Sequence, residues 1–333
     1  MRILLDVMGG DLPPEELVKG GIAAGCLHRM DVTFVGDPAA IRSALARHGE
    51  RDDGRFSVLP SAEVVTMDDH PVVAIRSKRD SSLVKGLLAL RDRRGDAFVS
   101  PGNTGAVVVG SIFTLGRIHG IPRPGIAVSL PSVPGPESLL IDAGANADCT
   151  PPHLVGFARM GATYAREVMG IPAPRIALLS NGEEAEKGNR LLRRARDLLA
   201  AEPSFVGNVE GHALLAQRPA DVVVCDGFVG NVFLKATEGG IGAVTGLLKG
   251  FARERLRTRL GGLLLKPAFS RLRERLSYTR RGGAPLLGVD GVVVIAHGRS
   301  DAEAIGAAID AARRAVEAHV NERLREGAAR DGS

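Results

Sequence analysis

The sequence predicts an α/β protein built around a mostly parallel β-sheet. Short apolar runs recur along the chain, and each is followed by a glycine-rich or polar turn and then by a stretch with helical periodicity. This alternation is typical of strand–loop–helix units, in which crossover helices join parallel strands. The chain has 333 residues, of which 44% are hydrophobic, so it can bury a large core as one α/β domain or as two smaller ones.

The apolar runs give the predicted strands in order. Residues 3–6 form the first run, and Pro13 and Pro14 then suit the first turn of a helix that extends to Leu27. The remaining strand candidates are residues 32–35, 56–59, 97–100, 125–130, 138–142, 175–179, 221–225 and 292–295. The segment between residues 130 and 138 is too short for a crossover helix, so we expect one antiparallel pair, at an edge of the sheet.

The pattern becomes a long helical tract over residues 230–281. Glycine and proline interrupt it at Gly261-Gly262 and Lys266-Pro267, which predicts a helical hairpin at about residues 235–281 that projects from the sheet. Residues 301–325 predict a closing helix capped by Ser300 or Asp301. No linker marks a boundary, so we expect residues 1–328 to form a single domain and residues 329–333 a frayed tail.

Charge and composition disfavour several classes of protein. Forty-three Lys and Arg against 38 Asp and Glu give a formal net charge of +5, which permits acidic partners. The chain has no Trp and two Tyr, which argues against the stacking platforms of single-strand nucleic-acid binders. Cys26, Cys149 and Cys225 form no CxxC pair, so a reducing cytoplasm fits best. We find no signal-peptide pattern and no apolar run of about 18 residues, so we expect no membrane span.

Six loops that follow predicted strands combine glycine with small polar residues. Loops at the carboxyl ends of parallel strands meet at one crevice, so we expect the six to form one site. Their backbone N–H groups and the helix dipoles behind them suit an anion. One such loop is as typical of a plain capped turn, but six together favour a binding site. The loops are residues 9–11, 101–105, 142–146, 180–184, 226–231 and 297–300.

Familiar catalytic motifs do not account for these loops. The chain has no Gly-Lys dipeptide, which excludes a Walker A loop, and no G-x-G-x-x-G follows a strand. It has no G-x-S-x-G, so a serine hydrolase is not indicated. The acidic and sulfur residues show no metal-ligand spacing. Cys149 and Cys225 lie near strand ends but fit small buried thiols better than nucleophiles.

A set of motifs runs in order through nearly the whole chain. They are Met8-Gly9-Gly10-Asp11, Arg76-Ser77-Lys78, Gly102-Asn103-Thr104-Gly105-Ala106, residues 142–149, Gly182-Glu183-Glu184 with Lys187-Gly188-Asn189, residues 207–211, residues 225–231 with Lys235, residues 282–288 and His297-Gly298. Together they resemble the PlsX-type phosphate acyltransferases. The resemblance implies a three-layer α/β/α sandwich similar to isocitrate and isopropylmalate dehydrogenases, usually a homodimer. It also implies acyl transfer from acyl-acyl carrier protein to inorganic phosphate, which supplies acyl phosphate to phospholipid synthesis.

Acyl transfer from a thioester to phosphate needs little acid–base catalysis by the protein. Phosphate is partly dianionic at neutral pH, and a thiolate leaves readily, so the protein supplies mainly position and oxyanion donors. From the resemblance we expect Lys187, His297 and Asn231 to be catalytic, although a surface ion pair for Lys187 and a structural role for His297 stay open. We expect no cofactor and no metal. The expected phosphate- or substrate-binding residues are Gly9, Gly10, Asp11, Gly102, Asn103, Thr104, Gly105, Asn146, Asn181, Gly182, Asp226 and Gly230.

The predicted hairpin holds many cations and few carboxylates. Acyl carrier proteins are acidic, so a basic face would attract them, and leucines among the cations suit an anionic membrane surface. A plain solvated basic face is the alternative. The expected docking residues are Arg253, Arg257, Arg271, Arg275, Leu263 and Leu264. The resemblance implies a peripheral protein on the inner face of the cell membrane that passes acyl phosphate to an integral glycerol-3-phosphate acyltransferase. We expect no nucleic-acid partner.

Two other functions stay open. One is a decarboxylating dehydrogenase on the same fold, which uses a nicotinamide cofactor and a divalent metal. It requires clustered acidic ligands and several arginines for the substrate carboxylates, and the six loops lack that arginine set. The other is a non-catalytic basic module that recruits partners to membranes, whose activity would survive loss of the loop glycines.

Overall fold

The structure, a computed structural model, describes residues 1–133, 135–254, 261 and 282–331. Eleven strands within these residues form one sheet. The strands are β1 (Arg2–Asp6), β2 (Asp31–Gly36), β3 (Phe56–Pro60), β4 (Ala97–Ser100), β5 (Gly125–Leu130), β6 (Ser138–Ile141), β7 (Ile176–Ser180), β8 (Phe205–Glu210), β9 (Val222–Val224), β10 (Ala284–Leu287) and β11 (Val292–Ile295).

Helices connect most of these strands. They are α1 (Pro14–His28), α2 (Pro38–Arg47), α3 (Pro71–Ser77), α4 (Ser82–Arg91), α5 (Thr104–Thr114), α6 (Pro151–Glu167), α7 (Arg190–Leu199), α8 (Gly211–Ala216), α9 (Gly227–Glu254), α10 (Ala302–Glu317) and α11 (Val320–Asp331). Proline occupies the first turn of α1, α2, α3 and α6, where its missing N–H removes no helical hydrogen bond. Asp37, Ser81, Asn103, Asn189 and Asp301 cap helices with their side chains.

The sheet order is β3-β2-β1-β4-β11-β10-β5-β6-β9-β7-β8. Seven of the ten neighbouring pairs are parallel, which confirms a mostly parallel sheet. The three antiparallel pairs are β10 with β11, β10 with β5, and β5 with β6. Because these three pairs are consecutive, the strands β6 to β9 run opposite to β1, β2, β3, β4 and β11.

Helices cover both faces of the sheet. On β1, Leu4 belongs to an apolar cluster that includes residues of α4 and α5, whereas Ile3 and Leu5 belong to a second cluster with residues of α1 and α10. This alternation follows from the period of two along a strand. A third cluster holds α6 and α11 against the other half of the sheet.

The structure tests the predicted elements individually. All nine predicted strands are present, and β8 and β10 are additional. The antiparallel pair is β5 with β6, but the prediction that it lies at an edge is wrong, since both strands are interior. The single closing helix is also wrong: α10 ends before His319, whose left-handed φ of 51° separates it from α11. Helix α11 extends to Asp331, so residues 329–331 are helical.

The predicted hairpin is only partly covered by the described residues. Helix α9 covers the first part of the predicted range and begins at Gly227, eight residues before the predicted start. Arg253 lies in the last turn of α9. The expected docking residues Arg257, Leu263, Leu264, Arg271 and Arg275 lie outside the described residues.

Candidate active site

The largest group of candidate residues surrounds one cavity of about 300 Å³. The cavity lies where β5, β10 and β11 pass the first turns of α5 and α9. Its polar lining residues are Thr104, Ser129, Asn231, Lys235 and His297. Its apolar lining residues are Ile126, Val128, Ala143, Leu234, Ala284, Ile295 and Ala296.

The reversed half of the sheet determines which loops reach this cavity. The loops after β1, β4 and β11 lie at one end of the strands. The loops after β6, β7 and β9 lie towards the opposite end, because these strands run in the reverse direction. The prediction that all six loops meet at the carboxyl ends of the strands is therefore wrong, but residues from four of them, the loops 101–105, 142–146, 226–231 and 297–300, do line this one cavity. The cavity joins the two sets through the face of β5, where Ile141 at the end of β6 pairs with Ala127.

Asp6 holds the loops after β1 and β4 together. Its buried carboxylate accepts hydrogen bonds from the N–H groups of Met8 and Gly9, at 3.0 and 3.1 Å, and from the Ser100 hydroxyl at 2.8 Å. The same hydroxyl accepts from the Gly102 N–H at 3.1 Å. A Cβ on Gly9 would lie 2.8 Å from the Cα of Gly102. The close contact therefore requires glycine at position 9 and positions one loop directly upon the other.

The next turn of the β4 loop starts α5. The Asn103 side chain accepts from the Ala106 N–H and donates to the Met67 carbonyl at 3.0 Å. Its side chain is thus engaged by the protein and caps the helix. Within the described residues, the N–H groups of Thr104 and Gly105 donate to no protein atom, and both residues line the cavity. These two N–H groups form an open helix N-terminus at the cavity wall.

His297 borders the cavity from the end of β11. Its Nδ1 accepts a hydrogen bond from the Arg299 N–H at 3.2 Å. The neutral ring therefore carries its proton on Nε2, which can donate to a bound group. The adjacent Gly298 carbonyl accepts from the Asp11 N–H at 2.7 Å, and the Asp11 carboxylate lies 4.0 Å from Arg299. Asp11 thus joins the β1 and β11 loops.

Asp142 organises the opposite wall. Its buried carboxylate accepts from the N–H groups of Ile126, Gly144, Ala145 and Asn146 and from the Asn146 side chain, at 2.8 to 3.0 Å. Burial raises the pKa of Asp142 above its ordinary value, and these hydrogen bonds oppose the rise. The NH₂ group of the Asn146 side chain donates to Asp142 and to the Pro124 carbonyl, each at 2.8 Å, so it supports the wall from behind.

Helix α9 begins against this wall. A Cβ on Gly230 would lie 2.0 Å from the Asp142 carbonyl oxygen, and one on Gly227 would lie 2.7 Å from the Asn146 carbonyl oxygen. Only glycine permits so close an approach. The buried Asp226 carboxylate accepts from the Val229 N–H at 2.8 Å and caps the helix. The glycines and the cap thus fix the direction of α9.

The fixed helix presents Asn231 and Lys235 to the cavity. These residues are one turn apart, so their side chains lie on the same face of α9. Lys235 makes no ion pair with any described carboxylate, which leaves its charge available to a ligand. Lys235 was not among the residues predicted for the site, although its spacing of four from Asn231 is a signal that could have found it.

Lys187 lies in a different part of the molecule. It is exposed in the loop after β7, where the Asn181 side chain accepts from the Gly188 N–H at 2.9 Å. Four strands separate β7 from β11, a distance of about 24 Å at the usual strand spacing. Asn181, Gly182 and Lys187 therefore do not line the cavity with His297. Lys187 also forms no ion pair with a described carboxylate, and its catalytic role stays a prediction.

Of the two cysteines at this wall, Cys225 fits the prediction of a small buried thiol and Cys149 is half-buried. Cys225 is fully buried, and its Sγ donates to the Asp142 carbonyl oxygen at 3.4 Å. Burial raises its pKa well above the ordinary value, and the pKa of Cys149 is raised to about 12 for the same reason. Neither sulfur can provide a thiolate near neutral pH.

Comparison with known proteins identifies the family. A family model described as "Fatty acid synthesis protein" matches residues 1–323. The phosphate acyltransferase of Pelotomaculum thermopropionicum is 45% identical over 98% of this chain and 94% of its own. That of Halothermothrix orenii is 42% identical over the full length of both chains. The chain belongs to the PlsX family of phosphate acyltransferases. As a member of this family it is an acyltransferase, as the sequence motifs predicted.

Solved structures share the fold of this family member. A phosphotransacetylase from Streptococcus pyogenes aligns with a TM-score of 0.62 at 17% identity, over 94% of both chains. A 4-hydroxythreonine-4-phosphate dehydrogenase from Klebsiella pneumoniae aligns with a TM-score of 0.53 at 13% identity, over 96% of this chain and 99% of its own. The α/β class with a mostly parallel sheet is thereby confirmed.

Proposed function

We propose that this chain transfers an acyl group from acyl-acyl carrier protein to inorganic phosphate, and that the acyl phosphate feeds the synthesis of phosphatidic acid. The observation that carries the proposal is the cavity, where the open N–H groups of Thr104 and Gly105 border the same space as Lys235. A helix N-terminus and an ammonium group together suit a phosphate dianion. The names of the relatives support the reaction class.

The bound phosphate is the nucleophile. One phosphate oxygen forms a bond to the carbonyl carbon of the thioester, and the carbonyl becomes an oxyanion. The carbon–sulfur bond then breaks, and the thiolate leaves with the electron pair. Phosphate needs no strong base near neutral pH. A thiolate whose conjugate thiol has a pKa of about 8.5 needs little acid assistance.

Asn231 and His297 supply the donors for this sequence. The Nε2–H of His297 and the side-chain amide of Asn231 both border the cavity. Donors fixed before reaction stabilise an oxyanion more than mobile water does. The Nε2–H of His297 also donates a hydrogen bond to the departing thiolate, which takes up the proton that the phosphate hydroxyl loses as the acyl phosphate forms. Ile126, Val128 and Leu234 form an apolar wall for the first carbons of the acyl chain.

The cavity favours this reaction over the dehydrogenase. A decarboxylating dehydrogenase requires arginines for substrate carboxylates and carboxylates for a metal. Of the described residues that line the cavity, none is Arg, Asp or Glu. The lining instead offers neutral donors and one lysine, the set that an anionic nucleophile and a neutral thioester require.

Docking and location form the second part of the proposal. We infer a homodimer at the inner face of the cell membrane that receives acyl carrier protein on the basic hairpin and delivers acyl phosphate to an integral glycerol-3-phosphate acyltransferase. The exposed Val244, Leu247 and Phe251 on α9 support contact with an apolar surface. Within the described residues, no helix is both long and apolar enough to cross a bilayer.

The test follows acyl phosphate directly. The purified chain is incubated with palmitoyl-acyl carrier protein, with and without phosphate, and acyl phosphate is trapped as its hydroxamate. Phosphate-dependent hydroxamate supports the proposal, whereas no thioester consumption across several chain lengths with folded protein overturns it. Lys235→Ala should lower kcat/KM roughly a hundredfold, and Lys19→Ala on α1 is the matched control. The same assay on Lys187→Ala decides its role, since an unchanged rate removes Lys187 from the mechanism.

A further inference from the structure

A second cavity of about 410 Å³ lies near the amino-terminal ends of β1, β2 and β3. The end of α4 and the turn that follows it close the cavity. Its lining residues are Arg2, Leu4, Thr33, Ser57, Val58, Leu59, Ala89, Arg93 and Arg94. Arg2 and Asp6 are four residues apart on β1, which places Arg2 about 13 Å from the loop that follows this strand.

The floor of this cavity carries an unusual polar pair. Leu4, Thr33 and Ser57 are neighbours in the strand register and point to the same face of the sheet. Thr33 is 8% exposed, and its hydroxyl lies 2.7 Å from that of Ser57. One hydroxyl donates to the other, so the pair retains one O–H that donates to no described protein atom. Both residues line the cavity and Ser57 is half-buried, so this O–H can donate to a group bound there.

The rim carries unbalanced positive charge. Arg2 is paired with Asp31 at 3.1 Å, and the nearby Asp92 is paired with Arg91 at 2.9 Å. Arg93 and Arg94 form no ion pair with any described carboxylate. Two guanidinium groups thus border the cavity without an ion-pair partner, and the Asp96 carboxylate beside Arg2 accepts the Arg2 backbone N–H at 2.6 Å.

We propose that this cavity is a second anion site, which binds the phosphate group of a phosphorylated small molecule. Guanidinium groups match phosphate in shape and bind it with two parallel hydrogen bonds. The spare hydroxyl proton of the Thr33–Ser57 pair adds a neutral donor from the floor. The volume suits a small molecule, since ligand cavities are commonly about 300–1,000 Å³. The site is independent of the proposed reaction, because it shares no lining residue with the catalytic cavity.

The test uses inorganic pyrophosphate as the probe in titration calorimetry on the full chain. Besides binding at the catalytic cavity, we expect a second class of sites that survives Lys235→Ala and weakens by at least about tenfold when Arg93→Gln and Arg94→Gln are combined. Thr33→Val should weaken it several-fold. Arg91→Gln is the control, because Arg91 is the adjacent arginine but does not line the cavity.

Three outcomes overturn the proposal. The first is no saturable heat with the wild-type chain at millimolar pyrophosphate. The second is unchanged binding in the double arginine variant, and the third is loss of binding in Lys235→Ala alone, which places the probe in the catalytic cavity. Circular dichroism and basal hydroxamate formation establish that the double variant is folded, so that lost binding reports on the site.

Discussion

The Asp6→Asn substitution tests whether Asp6 acts by positioning the loops of the site. The Asp6 carboxylate has no described cationic partner, and its three donors are Met8 N–H, Gly9 N–H and the Ser100 hydroxyl. Asparagine keeps the two N–H contacts through its carbonyl oxygen. Its amide NH₂, however, would face the Ser100 hydroxyl, whose proton would then lose its acceptor.

The expected fall in the free energy of unfolding can be worked out from these contacts. Hydrogen bonds to a charged acceptor contribute about 1.5–3 kcal/mol and neutral ones about 0.5–1.5 kcal/mol, so the two retained bonds weaken by about 1 kcal/mol each. The unpaired hydroxyl costs about 1–3 kcal/mol more. Removal of a buried charge offsets part of the sum. We expect the free energy of unfolding to fall by about 3 kcal/mol.

The activity of the folded Asp6→Asn chain is the decisive measurement. Displacement of the Gly9 and Gly102 loops moves the start of α5, so we expect the phosphate KM to rise and kcat/KM to fall by about a hundredfold in the hydroxamate assay. Asp221→Asn is the matched control, since Asp221 is also buried but pairs with Arg218 at 2.8 Å outside the cavity. It should lose stability with unchanged kinetics. Unaltered phosphate KM and kcat/KM in folded Asp6→Asn would refute the positioning role.

Three further outcomes follow from the geometry. Gly230→Ala should abolish hydroxamate formation in chain that still folds, because its Cβ displaces the start of α9; activity near wild type would contradict this. Iodoacetamide at pH 8 should label the exposed Cys26 and spare Cys149 and Cys225, because their raised pKa values keep them as thiols. Peptide mass spectrometry counts the adducts. Rapid labelling of Cys225 would argue against its burial. His319→Gly should raise the free energy of unfolding by about 1 kcal/mol, because glycine tolerates the left-handed backbone there; urea titration measures the change, and a loss would contradict it.

The sequence predicted most of the helices and strands, because the formation of these elements depends on residues close together in the chain. Apolar runs and proline-led helices gave nine strands and the start of α1 close to their observed positions. The missed strands lack those signals: β10 contains Pro285, and β8 contains Gly207 and Asn208. The reversal of the sheet depends on which strands become neighbours, and no local pattern records that.

The sequence predicted several residues of the candidate site but not how their side chains are arranged. His297, Asn231, Thr104 and Gly105 do meet at the cavity. Asn103, Asn146 and Asp226 were expected to bind substrate, yet their side chains are engaged within the protein: Asn103 and Asp226 accept from backbone N–H groups, and Asn146 donates to the Pro124 carbonyl and the Asp142 carboxylate. A sequence shows that an amide or carboxylate follows a strand, but only the packed loops show whether its hydrogen bonds are already used.

The position of β11 has a consequence for synthesis on the ribosome. Strand β4 pairs on one side with β1, which emerges before it, and on the other with β11, whose residues 292–295 emerge long after it. Until then the nascent chain exposes the backbone of β4 as an unpaired edge, the kind of surface that promotes aggregation. Release of a nearly complete chain would thus leave the first half of the sheet open. Truncation ahead of residue 292 should yield insoluble protein, not a smaller folded one.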